Sequence, residues 1–492
     1  MRQQTFYLLF AAIFGYSISA AAASCEDVRN VSLAHTTITL TKTVAPGAFT
    51  AKVRGAEVFK KVPAFCRVAA TLTPASDSEI RIEVWLPESG WNGKLESVGN
   101  GAWAGTISYT AMSAAVIAGY ASASTDTGHI GNNPNFITGH PDKVNDFAYR
   151  AVHEMTIAAK AIVSAYYDKS PKYSYFNGCS TGGRQALTEA QRYPNDYDGI
   201  LAGAPAIYAS RLQGMQVWAA KTVHKNSDSY IPKSKYPAIH AAVLQQCDEL
   251  DGIKDGVLED PTKCKFDPNV LACKDSASST CLTPPQIEAA RKLYAGPRLF
   301  PGLEPGSELE WKTLAGPKPM SLATDVYKYL VFNNPSWDFK TIKPETDFAL
   351  AENALGNDMD ATNSNLMPFV EHGGKLIMYH GWSDPGIPPM NTVQYYKKVL
   401  ESLGAAKTSS SVRLFMIPGM NHCRGGDGTD KFDGVAALSQ WIENGKAPDQ
   451  IMASHQNAAK KVDRTRPLCP YPQVAVYQGS GSTDDGTNFS CK

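Results

Sequence analysis

The sequence carries no excess of either charge. Lysine and arginine number 47, and so do aspartate and glutamate, which sets the formal net charge at zero. A chain built to coat nucleic acid would show a basic surplus, so no nucleic-acid partner is expected. With 43% hydrophobic and 19% charged residues, a disordered chain is excluded as well. There is no internal repeat. The nearest approach to low complexity, Thr408-Ser409-Ser410-Ser411, reads as a polar loop. No C-x-x-C pair or Cys/His cluster at ligand spacing is found, which speaks against a structural zinc site. Long apolar runs are missing except at the start. There, Arg2 precedes the apolar stretch Phe6–Phe14, and Ala20–Ala23 offers small residues for cleavage. This pattern predicts a signal peptide over residues 1–24, too short to span a bilayer. The expected product is exported, extracellular or periplasmic, and not membrane-bound.

Export makes the ten cysteines legible as disulfides. Local pairs suggest themselves: Cys247–Cys264, Cys273–Cys281 and Cys469–Cys491. Cys25, Cys66, Cys179 and Cys423 remain.

Apolar and polar residues alternate over Ile80–Leu86, as in a half-buried strand, and Lys94–Val98 reads as a second strand ending in the glycine-rich loop Gly99–Gly105. A helix is expected from Asn145 or Asp146 to about Tyr167, since Phe147, Val152, Met155, Ala159, Ile162 and Val163 recur at helical spacing. Tyr173–Asn177 is a short strand, Gln185–Tyr193 a helix and Gly199–Ala204 another strand. Such alternation indicates a parallel sheet covered on both faces. Residues 207–362 break the pattern: they are rich in Pro, Lys, Asp and Ser and hold four of the cysteines. Alternation then resumes with strands Lys375–Tyr379 and Val412–Ile417 and helices Thr392–Leu403 and Gly434–Asn444. The chain therefore reads as one α/β domain, residues 25–206 and 363–492, interrupted by an insertion over 207–362.

Gly178-Cys179-Ser180-Thr181-Gly182 is a G-x-S-x-G motif between a strand and a helix, the setting of a nucleophile elbow. A serine nucleophile needs a base and a group to orient that base. In the order Ser, acid, His, the second α/β segment offers Asp384 after the strand Lys375–Tyr379 and His422 after Val412–Ile417. His380 and His129 fit that order less well. With Ser180, Asp384 and His422 as a triad, Cys179 and Cys423 come together, and a disulfide between them would limit drift of the nucleophile and the base. Thr181 is expected to supply one oxyanion-hole N–H and Gly101, in the glycine-rich loop, the other. In the insertion, Asp248, Asp251 and Asp255 crowd into one loop with two glycines. Their hard oxygens, with the carbonyls of Ile253 and Val257, favour a structural Ca²⁺.

These residues together resemble the tannase/feruloyl esterase family of secreted serine hydrolases. The resemblance rests on Gly178-Cys179-Ser180-Thr181-Gly182-Gly183, Asp384, His422-Cys423 and the loop Asp248–Val257, and it extends over essentially the whole mature chain. It implies an α/β-hydrolase fold with a large inserted lid carrying the calcium loop, a disulfide beside the triad and a further disulfide, Cys25–Cys66. It also implies a phenolic ester as substrate, free or attached to plant polysaccharide. Feruloyl ester hydrolysis is the expected activity; gallate ester hydrolysis and aromatic monoester hydrolysis of the terephthalate type are the alternatives. Ile387 stands where the terephthalate type carries phenylalanine, which weighs against that alternative. Of the aromatics in the insertion, Tyr208, Trp218, Trp311, Tyr327, Tyr329, Phe332 and Trp337, two or three at most are expected to touch substrate.

Overall fold

The computed structural model describes residues 24–274, 276 and 278–492, so the expected leader lies outside it but for Ser24. Nine strands form one mixed sheet: β1 (Thr36–Val44), β2 (Phe65–Leu72), β3 (Ile80–Pro87), β4 (Lys94–Val98), β5 (Ala121–Thr125), β6 (Tyr173–Cys179), β7 (Gly199–Gly203), β8 (Lys375–Gly381) and β9 (Val412–Ile417). Their order is β1-β2-β3-β5-β4-β6-β7-β8-β9. The first three strands and the β3–β5 pair are antiparallel. From β5 through β9 every pair is parallel. This is an α/β fold.

The parallel strands are apolar on both sides, and their side chains alternate between two cores. Ile200, Leu376, Met378 and Leu414 pack with Met155, Ile162, Val393 and Val399, which lie on the helices Ala151–Tyr167 and Met390–Leu403. Leu201, Ile377 and Phe415 point the other way, onto Leu438 and Trp441 of the helix Gly434–Asn444.

Between β7 and β8 the described residues form helices and irregular chain around a separate core that includes Leu293, Trp311, Tyr327 and Phe348. Its helix Pro284–Ala295 starts as local chemistry dictates, with Pro284 in the first turn and the Thr283 N–H donating to Gln286 Oε1 at 3.1 Å.

Two local expectations need correction. The helical stretch leading to Tyr167 begins at Pro141, not Asn145 or Asp146: Pro141–Asn145 is helical and Asp146–Arg150 continues it as a π-turn. Proline at the first helical position outweighs the later Asx cap. The Thr408–Ser411 tract is no loop but the end of a helix, Ala405–Ser411. Its Ser409 and Ser410 hydroxyls donate back to the carbonyls of Ala406 and Lys407, and Thr408 and Ser411 are buried. Packing and these bonds override the weak helix propensity.

All ten cysteines are paired, as Cys25–Cys66, Cys179–Cys423, Cys247–Cys264, Cys273–Cys281 and Cys469–Cys491.

Candidate active site

Ser180 stands directly after β6 and directly before the helix Thr181–Arg192. The turn between them is tight, and it places Ser180 at a left-handed φ of 66°. Such a backbone costs energy and is held only when its surroundings fix it. Close approach of the flanking chains does so: a Cβ on Gly183 would lie 2.3 Å from the Gly203 carbonyl oxygen. The helix opens with unpaired N–H groups beside the serine, the positive end of its dipole.

Asp384 follows β8 and His422 follows β9, so all three residues gather at the C-terminal edge of the parallel strands. The Asp384 and His422 loops cross closely; a Cβ on Gly381 would meet the Met420 carbonyl oxygen at 2.2 Å. His422 Nδ1 donates to Asp384 Oδ2 at 2.6 Å. The other carboxylate oxygen, Oδ1, accepts from the N–H groups of Gly386 and Ile387 at 2.7 and 2.9 Å. Burial opposes the charge on Asp384, but attraction to His422 and hydrogen bonds from His380 and His422 outweigh it and hold the carboxyl well below its ordinary range. His422 shows the converse: burial works to lower its pKa, and the Asp384 carboxylate raises it above the ordinary imidazole value.

His380 was legible only as a weak competitor for the base. It lies behind the acid: Nε2 is 3.1 Å from Asp384 Oδ2 and 3.0 Å from the Ile387 carbonyl, while Nδ1 accepts from Thr392 Oγ1 at 2.7 Å. The network assigns the proton to Nε2, so His380 orients the carboxylate. Its position four residues before Asp384 was the available signal. His129 makes no contact with Asp384; its Nε2 meets the Trp103 carbonyl at 2.7 Å and its ring stacks on Phe136.

Ser180 and His422 line a cavity of about 360 Å³, the size of a small-ligand site. Ala102 and Trp103, from the glycine-rich loop beside the start of the helix, are part of its lining. Gly101, one residue earlier, is exposed and not part of the lining. Thr181 Oγ1 ties the loop down by donating to the Ala102 carbonyl at 2.9 Å. The aromatic surface comes from Trp103 and Phe147, stacked at 4.7 Å. None of the seven aromatics singled out in the insertion lines the cavity. Trp311 and Tyr327 are wholly buried, and Trp337 stacks on Tyr327 at 5.4 Å: they build the insertion's own core. In the sequence, Trp103 is an aromatic in the glycine-rich loop and Phe147 one on a helical face, and neither position marks a cavity wall.

Most polar groups in the cavity are already engaged. Arg184 donates to the carbonyls of Ala148 and Phe147, Ser210 to Asp360 and Gln216 to the Gly386 carbonyl. Gln213 differs: its Oε1 is buried and has no hydrogen-bond partner.

The Asp248–Val257 loop lies against the C-terminal segment. Asp248 accepts from the N–H groups of Asp255 and Gly256. Asp255 pairs with Arg466 at 2.5 Å. Asp251, Asp255 and Val257 border a small cavity together with Glu259 and Arg464. Burial, then the charges of Asp255 and Asp248, push the Asp251 carboxyl up to about 6. Asp248 and Ile253, also expected as ligands, do not border this cavity, and Glu259 adds a further carboxyl to it beside the two arginines; hard oxygen donors of this kind are the type Ca²⁺ takes.

A family model described as tannase and feruloyl esterase matches residues 66–313 and 320–492. An uncharacterized esterase of Xanthomonas campestris is 39% identical, covering 96% of this chain and 92% of its own. A probable feruloyl esterase B-1 of Aspergillus oryzae is 35% identical, over 87% of this chain and 84% of that protein. The crystal structure of feruloyl esterase B from Aspergillus oryzae superposes with a TM-score of 0.87 at 32% identity, covering 95% of this chain and 99% of that one. Together with the α/β-hydrolase architecture, these matches place the chain in the tannase and feruloyl esterase family of carboxylic ester hydrolases.

Proposed function

We propose that this protein is an exported feruloyl esterase that cleaves phenolic acid esters through an acyl-enzyme on Ser180. The observation that carries the mechanism is the 2.6 Å contact of His422 Nδ1 with the Asp384 carboxylate, on a histidine that shares its cavity with Ser180. With Nδ1 engaged, Nε2 is the nitrogen left to act as base. It takes the Ser180 proton as Oγ attacks the ester carbonyl, then hands that proton to the departing alcohol. Water, deprotonated by the same nitrogen, attacks the acyl-serine and frees the acid and Ser180. Asp384 stabilises the imidazolium formed in both halves. The oxyanion is met by the Thr181 N–H and, from the adjoining loop, by the N–H of Ala102, the neighbour of Gly101 that lines the cavity.

The substrate assignment leans on the feruloyl esterase B relatives and on the cavity's chemistry. Trp103 and Phe147 offer ring faces to a planar aryl group. Gln213 offers an unspent amide to a ring hydroxyl. The insertion acts as a lid over residues 207–362. Asp248, Asp251 and Asp255 with the Ile253 and Val257 carbonyls hold a Ca²⁺ that supplies no chemistry and cross-links the lid to the C-terminal segment. Export accords with five disulfides and with the absence, among the described residues, of a helix long and apolar enough to cross a membrane. The test is a panel of methyl ferulate, methyl caffeate, methyl gallate and mono(2-hydroxyethyl) terephthalate given to the purified protein. The highest kcat/KM is expected for ferulate; a clear preference for gallate or terephthalate overturns the assignment.

A further inference from the structure

At the far end of the nucleophile helix lies a group of side chains with no part in the reaction. Among the described residues, His153, Glu189 and Asp196 bring a ring nitrogen and two carboxylate oxygens within 4.8 Å of one another. His153 lies on the helix Ala151–Tyr167 and Glu189 near the end of Thr181–Arg192. Asp196 lies in the turn that leads into β7. Glu189 is nine positions after Ser180, about 13 Å along the helix.

Glu189 is the unusual member. It is 1% exposed, and neither carboxylate oxygen has a hydrogen-bond partner. An ionised carboxylate left so is costly, so it must be neutralised or paired. The nearest cation is Lys160, whose Nζ donates to the main-chain carbonyl of Asp196 rather than to Glu189. Lys160 also faces Asp196 and Asp198, so one ammonium stands among three carboxylates. The neighbours are otherwise fixed. His153 Nδ1 lies 2.6 Å from Asp196 Oδ2, its ring stacks on Tyr193 at 3.7 Å, and Asp198 accepts from the Ser174 N–H at 2.7 Å.

We infer that His153, Glu189 and Asp196 form a binding site for a divalent transition ion of the Zn²⁺ class, distinct from the calcium loop. One imidazole and two carboxylates are a borderline donor set that suits Zn²⁺ better than Ca²⁺. The three donor atoms already lie within 4.8 Å of one another, and His153 Nδ1 and Asp196 Oδ2, 2.6 Å apart, need only separate slightly to share an ion about 2.1 Å from each. The ion gives Glu189 the partner it lacks. It also fastens two helices and the turn into β7 behind the nucleophile, away from the substrate.

The test uses the full chain, stripped by chelator, resupplied with saturating Ca²⁺ and then titrated with Zn²⁺, and with Co²⁺ as the spectroscopic probe. Wild type is expected to bind one Zn²⁺, to melt at a higher temperature with it, and to give the visible absorption of protein-bound Co²⁺. Even outer-shell changes at metal sites cost about 10- to 100-fold in affinity, so His153→Ala, which removes a direct ligand from a half-exposed position, should weaken Zn²⁺ by at least about tenfold. Its hydrolysis of a small activated ester should stay at the wild-type rate, which verifies the fold. Glu189→Gln should lose the Zn²⁺-dependent melting shift too. If Ca²⁺-loaded wild type takes up no Zn²⁺, or His153→Ala takes it up equally well, the inference is wrong and Glu189 is a neutral acid sharing its proton with Asp196.

Discussion

Asp384 has the most demanding residue-level task. It is wholly buried and charged, and it is held so by four donors: two imidazoles and two backbone N–H groups. The raised pKa of His422 follows directly, and it sets the pH dependence. The base works only when neutral. Activity should therefore rise with pH through an apparent pKa above about 6.5 and fall away below it. Asp384→Asn removes the charge that lifts His422 and favours the wrong tautomer. A loss of about 10⁴-fold in kcat, with the acid limb moved to lower pH, is the expected pH–rate profile; an unmoved limb would show that another group raises the imidazole. Gln213 has a narrower task. If its amide reads a ring hydroxyl, Gln213→Leu should lower kcat/KM on methyl ferulate by up to about tenfold and leave methyl cinnamate, which has no hydroxyl, unchanged. Equal losses on both esters would make Gln213 a packing residue.

At the scale of elements, two links hold the site together. The Cys179–Cys423 disulfide joins the residue before Ser180 to the residue after His422, across 244 positions of sequence. Small misplacements of catalytic groups are expensive, about 100-fold for 1 Å. Cys179→Ala with Cys423→Ala should thus depress kcat far more than it raises KM; unchanged kcat in a folded double variant would take the bridge out of the mechanism. The second link is the loop Asp248–Val257, which the Asp255–Arg466 pair and the bond from the Ala475 N–H to Glu259 join to the C-terminal segment. With Ca²⁺ bound only in the folded state, stability should increase by about 2.7 kcal/mol at a hundredfold excess over the dissociation constant. Chelation should lower the melting temperature and slow bulky phenolic esters more than small activated ones. Asp251→Ala should melt like the chelated protein and be indifferent to chelator. Identical melting of chelated and Ca²⁺-loaded wild type would reduce the loop to an acidic turn.

Across the whole molecule, what could be read in advance was what is local. Gly178 to Gly182 announces its turn because a strand precedes it and a helix follows, and the strands at Lys375 and Val412 are bounded by turn residues just as clearly. The cavity wall was not legible. Trp103 and Phe147 meet through a loop and a helix more than forty residues apart, while the insertion's aromatics, equally conspicuous, pack on one another. Burial of aromatics is a property of tertiary packing that spacing does not encode. The edge strand β1 and its neighbour β2 were not legible either: Thr36–Val44 has few large apolar residues to mark a buried face, and its pairing with Phe65–Leu72 is a long-range contact. His380 could be seen but not placed, since its meaning depends on Asp384 turning back beneath it. The account as a whole stands on Ser180 being the nucleophile. Its most direct test is to treat the protein with a fluorophosphonate, digest it and locate the adduct by mass spectrometry. Stoichiometric labelling on Ser180, abolished in Ser180→Ala together with ester hydrolysis, is the predicted result; an unlabelled but active wild type, or an adduct and activity that survive in Ser180→Ala, would contradict it.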